Sequence, residues 1–286
     1  MKFVAIDWGT SSFRAWLIER DQISDYLQTD QGVKNFASDS HRAYLTEVLG
    51  KWQGKYEHII AIGMIGSSIG LYETEFSPLP IDIDEVSNSL VKVPNFETDL
   101  FIVPGVSKVG DVMRGEESQS LASGLENGLV ISPGTHSKWV EIKSGKIADF
   151  RTYLTGELFE ILRNHSTLSK ATDSSAKLSA SKDFVEGLNA QASDLTHDLF
   201  AIRANWLQGK TEDASREYLS GLLIGAEIKS AKSWCQASEV RIVASDSLAE
   251  IYIFALAHFG IKATVEDHGN LIKYFVALAK KVENKP

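Results

Sequence analysis

The stretch "VAIDWGTSSFRAWLIER", Val4 to Arg20, decides the fold. Two apolar runs with β-type residues flank a turn carrying Asp7, Gly9, Thr10, Ser11 and Ser12. A hairpin needs only one or two turn residues, so the hydroxyl run asks for another explanation. Glycine lets the main chain approach a ligand closely, and successive backbone N–H groups form a concave anion site. Serine and threonine add donors without bulk. Asp7 would repel an anion unless a divalent cation lay between them, and Mg2+ takes carboxylate oxygens and waters. The stretch therefore reads as a loop for a magnesium-bound phosphate. The alternative is a plain turn whose aspartate caps its own loop.

The same pattern returns later in the chain. "LVISPGTHSKWVEIK", from Leu129, puts Gly134-Thr135 where Gly9-Thr10 stand, again between apolar strands. Each copy runs on into a third strand that ends in glycine, "QISDYLQTDQG" and "GKIADFRTYLTG". Each then continues with a helix, a strand, a further segment and another strand. Apolar runs predict strands at 3–7, 14–19, 59–62, 101–103, 129–132, 139–143, 240–244 and 263–266. Helical spacing predicts helices near 42–52, 115–125, 156–164, 217–234, 248–259 and 271–282. Segment 166–195, rich in Ser, Ala, Asp and Lys, reads as a loose helical insertion or a mobile, solvated flap. The expectation is an α/β protein of two related domains with mixed sheets, 1–114 and 115–286, facing an interdomain cleft through their glycine-hydroxyl hairpins.

Composition narrows the function classes. The chain has 286 residues, 43% hydrophobic and 23% charged, with a net charge of −9. That balance argues against a nucleic-acid or acidic-membrane surface. The most apolar helix, around "LAEIYIFALAHF", is too short to span a bilayer. A lone cysteine, Cys235, makes no internal disulfide and fits a reducing cytoplasm, with packing favoured over a catalytic thiol. A homodimer is compatible with the sequence.

Taken together, "AIDWGTSSFRAWL", "AIGMIGSSIG", "VMRGEESQ", "ISPGTHSKWVEI", "DFRTYLTGELFEIL" and "YLSGLLIGAEI" resemble the 2-dehydro-3-deoxygalactonokinase family. That family is part of the actin, sugar-kinase and heat-shock-ATPase superfamily. The resemblance implies two ribonuclease H-like (actin-like ATPase) domains and ATP with Mg2+ as cofactors. It also implies phosphorylation of 2-dehydro-3-deoxy-D-galactonate on its 6-hydroxyl, with the sugar acid on the N-terminal side and the nucleotide on the C-terminal side. It implies phosphate contacts from Gly9, Thr10, Ser11, Ser12, Gly134, Thr135, His136 and Ser137, and a metal contact from Asp7. Two places depart from the superfamily pattern. Pro133 stands where many members have an acid, and Ala244 and Ser245, the candidate adenosine contacts, stand where many have a Gly-Gly pair. Asp246 or Ser247 would cap the following helix or contact the ligand directly, with capping favoured.

A sugar hydroxyl is a weak nucleophile and needs a carboxylate to accept its proton. By resemblance the base lies in "RGEESQ", where Glu117 is preferred over Glu116; adjacent residues on a helix point about 100° apart, so only one can face the substrate. Both acids alternatively complement the positive end of a helix dipole. The substrate's carboxylate and keto oxygen call for an arginine fork. Arg114 is the first candidate, followed by Arg14, Arg151 and Lys138. Met64, Ile65 and Gly66 would wall the sugar pocket or, alternatively, form a plain packing turn. Gly221 and Gly225, four apart on a helix, admit a close neighbour, with helix packing favoured over nucleotide. The competing functions are a kinase for the gluconate-derived epimer, an exopolyphosphate or pppGpp phosphatase of the same superfamily, and a chaperone-like ATPase.

Overall fold

The computed structural model describes residues 1–283 apart from 38, 39, 192, 193, 238 and 268. The chain divides into two compact units, Met1–Glu126 with Ile142–Asp149 and the stretch from Asp267, and Asn127–Glu141 with Phe150–Glu266. These bounds differ from the expected 1–114 and 115–286. The helix after Gly115 and the C-terminal helix both go with the first unit, because buried aromatic and hydroxyl contacts tie them there.

The first unit is built on β1 (Lys2–Trp8), β2 (Phe13–Glu19) and β3 (Gln22–Thr29), followed by α1 (Ser40–Leu49) and β4 (His58–Gly63). There follow β5 (Ser77–Pro78), α2 (Ile83–Ser89), β6 (Val91–Lys92), β7 (Asp99–Ile102), β8 (Val106–Lys108), β9 (Asp111–Met113) and α3 (Glu116–Ala122). Its main sheet has the order β3-β2-β1-β4-β7-β6, with β1 antiparallel to β2 and parallel to β4. β1 is buried from Phe3 to Trp8, as expected of a central strand covered on both faces. Its apolar side chains join Phe13, Leu45, Trp52, Ile59 and Ile102 in one core.

The second unit repeats the plan with β10 (Asn127–Ser132), β11 (Ser137–Lys143), β12 (Lys146–Tyr153) and α4 (Thr155–His165). It continues through α5 (Lys182–Asn189), α6 (Leu195–Leu207), α7 (Glu212–Trp234), β13 (Val240–Ile242), α8 (Asp246–His258) and β14 (Thr264–Val265). The last element, α9 (Gly269–Glu283), belongs to the first unit. The second sheet runs β12-β11-β10-β13-β14, matching β3-β2-β1-β4-β7 strand for strand. The repeat seen in the sequence is therefore a repeat of topology, and all eight predicted strands are present.

Segment 166–195 is not a solvated flap where it is described. Within it α5 buries Phe184 and Leu188 against α7. A Cβ on Gly221 would lie 2.0 Å from the Phe184 carbonyl oxygen, and one on Gly187 would lie 2.4 Å from that of Tyr218. The absent side chains let the two helix backbones touch, which confirms packing as the role of Gly221. Residues 192 and 193 of this segment lie outside the described residues.

Candidate active site

Both glycine-hydroxyl loops leave the carboxyl end of a central strand, β1 or β10, where open α/β sheets bind ligands. In the first unit Gly9 N–H donates to the Ser12 carbonyl at 2.9 Å and closes the turn, leaving Thr10 and Ser11 exposed. In the second unit Gly134, Thr135 and His136 are exposed.

Each loop is backed by a glycine that follows its third strand, Gly32 after β3 and Gly156 in the first turn of α4. A Cβ on Gly32 would fall 2.1 Å from the Thr10 carbonyl oxygen, and one on Gly156 would fall 2.2 Å from that of Gly134. Backbone bonds lock the same contact: Val33 N–H donates to the Gly9 carbonyl at 3.1 Å, and Glu157 N–H to the Thr135 carbonyl at 2.9 Å. A methyl group at either glycine must push the loop away. Gly156→Ala is expected to destabilise the second unit by about 1–3 kcal/mol, the usual cost of overpacking. It should also weaken nucleotide binding. Chemical denaturation and nucleotide titration check this; a variant equal to the parent in both would reject the backing role.

Asp7, 7% exposed, faces Arg14 across the β1–β2 ladder, and the two side chains form an ion pair through Asp7 Oδ2. Arg14, expected to contact substrate, is thus held by the carboxylate expected to contact metal. Among the described residues Asp7 Oδ1 has no hydrogen-bond partner. One carboxylate oxygen, completed by waters and phosphate oxygens, is a normal donor set for Mg2+, so these residues fit the ion.

At the carboxyl end of β4 a second group of predicted residues comes together. Met64 and Gly66 form a 3-10 turn directly after Gly63, and Arg114 Nη1 lies 2.9 Å from where a Cβ on Gly66 would be. Arg114 donates to Thr74 Oγ1 at 2.5 Å and to the Thr74 carbonyl at 2.9 Å, and its guanidinium lies 4.4 Å above the Phe76 ring. Two of the five guanidinium N–H groups are used by Thr74, so three remain for an anion. Ile65, expected in the pocket wall, is instead fully buried in the first core and serves packing.

Gly115 brings α3 against β4, with its Cβ position 3.1 Å from Gly63 Cα. The two acids that follow differ in environment. Glu116 is half-buried and accepts from Arg114 N–H at 3.0 Å. Glu117 is fully buried, accepting from Gly115 N–H at 2.6 Å and from the Ser118 hydroxyl at 3.0 Å. Burial, with Glu116 adding like charge, pushes its pKa up to about 8. From α9, the buried Tyr274 hydroxyl reaches Ser118 Oγ at 3.4 Å, which ties the C-terminal helix to α3.

In the second unit Lys138 is buried and donates to Thr152 Oγ1 at 2.9 Å. His136 Nε2 meets Glu157 Oε2 at 2.5 Å on the exposed side of the loop. Ser137, expected on phosphate, is fully buried and donates to Glu227 Oε1 at 2.7 Å. Glu227 also accepts from Trp139 Nε1 at 2.7 Å, from the Tyr252 hydroxyl at 2.9 Å and from the Thr155 hydroxyl. This buried carboxylate gathers β11, the start of α4, and α8 around the loop. No motif of the sequence marks Glu227, although an acid inside the otherwise apolar "LLIGAEI" is a signal of it. Arg151 is exposed, with its guanidinium 5.1 Å from the Trp234 ring, and Cys235 donates to Glu141 at 3.3 Å.

Ser245 is the N-cap of α8 and makes no side-chain capping bond; neither Asp246 nor Ser247 takes the cap. The second unit does contain an apolar pocket of about 90 Å3 beside Gly134, lined by Phe159, Leu178, Leu223, Ile224 and Leu248.

Among the described residues no helix is long and apolar enough to cross a membrane. Residues 7–274 match the family model described as 2-keto-3-deoxy-galactonokinase. The chain is 33% identical to the 2-dehydro-3-deoxygalactonokinase of Escherichia coli strain K12 over 92% of each chain. A crystal structure from Sinorhizobium meliloti, provisionally assigned to the same activity, superposes with a TM-score of 0.92 at 30% identity, covering 99% of this chain and 100% of that one. A component of (R)-2-hydroxyglutaryl-CoA dehydratase from Acidaminococcus fermentans shares the fold alone, at 12% identity and a TM-score of 0.52 over 99% of each chain.

Proposed function

We propose, for a chain that belongs to the 2-keto-3-deoxy-galactonokinase family, that it transfers a phosphoryl group from ATP to the 6-hydroxyl of 2-dehydro-3-deoxy-D-galactonate. The observation that carries this reading is the meeting of Arg114 and Glu117 at the carboxyl end of β4. One is a cation with unspent donors for a carboxylate and keto oxygen; the other is an enclosed carboxyl group that, in its ionised form, takes a hydroxyl proton.

In this reading the first unit holds the sugar acid, with Arg114 on its carboxylate and Met64 and Gly66 beside its carbon chain. Glu117 orients the 6-hydroxyl and accepts its proton as the new P–O bond forms. The second unit holds the nucleotide, its adenine against Leu223, Ile224 and Leu248, and its phosphates near the N–H groups of Gly134 and Thr135. Gly9, Thr10, Ser11 and Ser12 are the first unit's own candidate phosphate donors, and Lys138 is the second unit's cation. Asp7 would hold Mg2+ through Oδ1, and the ion would offset charge on the phosphate oxygens.

A coupled ADP-release assay across a panel of sugar acids and neutral sugars tests the reaction class. ADP formation should depend on the sugar acid and be greatest with 2-dehydro-3-deoxygalactonate. Phosphate release that ignores the sugar acid would identify a phosphatase instead, and preference for the gluconate-derived epimer would reassign the substrate. Arg114→Ala should raise the KM for sugar acid by about tenfold or more, since hydrogen bonds to a charged partner contribute about 1.5–3 kcal/mol. The KM for ATP should stay within about twofold of the parent; equal damage to both would remove Arg114 from the acid site.

A further inference from the structure

A second cluster of ligand-type side chains lies at the opposite end of β4 from the acid site. One imidazole nitrogen of His58 and one carboxylate oxygen each from Glu57 and Glu283 lie within 4.8 Å of one another. His58 opens β4 and Gly63 closes it, five residues on. That spacing separates the cluster from the Arg114–Glu117 group by roughly 17 Å, at about 3.3 Å per strand residue. No part of the proposed reaction uses these side chains.

Two independent facts set the cluster apart from a chance gathering of surface acids. His58 is only 6% exposed, and its Nε2 is buried without a hydrogen-bond partner among the described residues. A buried polar nitrogen left unpaired costs free energy, so such groups commonly have a partner supplied by a ligand or water. The ring is also fixed in place: it stacks on Phe3 with centroids 5.5 Å apart and an interplanar angle of 5°, and meets Phe101 edge-on at 6.4 Å. A clamped imidazole with an unpartnered ring nitrogen is what a metal ligand requires.

We propose that His58, Glu57 and Glu283 form a binding site for a zinc-type divalent cation, which fastens the end of α9 to the amino end of β4. One imidazole and two carboxylates suit Zn2+, with water completing a tetrahedral set; Mg2+ prefers all-oxygen octahedral sites. Zinc bonds of about 2.0–2.2 Å draw the three ligand atoms, all within 4.8 Å of one another, toward a common point. Both glutamates are exposed, so their side chains are free to rotate inward. The consequence is structural. α9 supplies Tyr274 beside Ser118, so a cation holding its last turn steadies the helix that covers the α3 acid.

The test titrates Zn2+ alone into the metal-stripped full chain, by calorimetry and by competition with a chromogenic chelator. Thermal unfolding is followed with and without the ion. One equivalent should bind and raise the unfolding midpoint, with Mg2+ unable to compete. Glu283→Gln and Glu57→Gln, both at exposed positions where folding is safe, should each weaken binding by about tenfold or more and remove most of the thermal shift. His58→Gln should abolish binding; circular dichroism establishes that it has folded. Absence of saturable binding overturns the proposal. So does binding that survives both glutamine variants, which would locate the ion elsewhere, such as His136 and Glu157.

Discussion

Glu117→Gln is expected to lower kcat by about 10²–10⁴-fold, the range contributed by a positioned general base. Binding of ATP should be nearly unaffected, because Glu117 is assigned to the sugar hydroxyl and to no part of the nucleotide. The same substitution should make the protein more stable at alkaline pH. Burial raises the Glu117 pKa to about 8, from an ordinary value of 4.5. Between those two values the folded chain holds a proton that the unfolded chain has released. Stability from this group is therefore complete below about pH 4.5 and falls as pH rises through 8. Above that the folded protein must keep a charged carboxylate in a fully buried place. Glutamine carries no such penalty and still offers an oxygen to Gly115 N–H.

The advantage of the variant should grow from about pH 5 to pH 9, bounded above by roughly 4–5 kcal/mol at 1.36 kcal/mol per pKa unit. Denaturation curves across that range, paired with kcat, separate two accounts of the residue. A base retained for chemistry gives lower turnover with higher stability. An acid retained for packing gives lower stability with turnover reduced only in proportion to the folded fraction. Normal turnover would move the role to Glu116, which is half-buried and bonded to Arg114 N–H.

The parts of this protein that can be read from sequence are those where a local pattern and a backbone requirement coincide. The strands of "FVAIDW" and "GLVIS" are continuous apolar runs because they are buried on both faces, and the loops after them need glycine. Gly32 and Gly156 were visible as strand ends, and their reason is a close approach that only the three-dimensional arrangement reveals. The return of α9 to the first unit was not legible, since nothing local in "LIKYFVALAKKVE" says which core its apolar face will join. The same limit hid α5: a run of serines and lysines precedes it, and its burial depends on glycines in a helix about thirty residues later. Ile65 and Ser137 read as ligand contacts from their neighbours in the chain. Burial places one in the core and bonds the other to Glu227, and burial is decided by tertiary packing. Glu227 itself has donors drawn from three distant segments, so no spacing in the chain announces it.

Removing the carboxylate of Glu227 should damage the second unit heavily. Its two oxygens accept from Ser137, Trp139, Thr155 and Tyr252, all of them buried or nearly so. Burial raises its pKa, and the four donors oppose that by favouring the charged form. In Glu227→Ala those donors lose their acceptor together, at about 1–3 kcal/mol for each group left unsatisfied. A loss of roughly 4 kcal/mol or more is expected, a large share of a typical domain's stability. Glu227→Gln separates geometry from charge. The amide oxygen can keep Ser137 and Trp139, while its NH2 group faces the Thr155 and Tyr252 hydroxyls, which can rotate to accept. The cost should then be about 1–2 kcal/mol, that of exchanging charged for neutral hydrogen bonds. Ser137 follows the exposed loop of Gly134, Thr135 and His136, and Thr155 begins the helix whose Gly156 presses on it. A small displacement of either moves the phosphate donors. Nucleotide affinity in Glu227→Gln should therefore fall about tenfold, which corresponds to 1.4 kcal/mol, while the sugar-acid KM stays close to the parent value. Titration with a fluorescent ADP analogue and urea denaturation measure the two effects. If the glutamine variant binds nucleotide like the parent, the carboxylate supports the core of the unit without setting its loop.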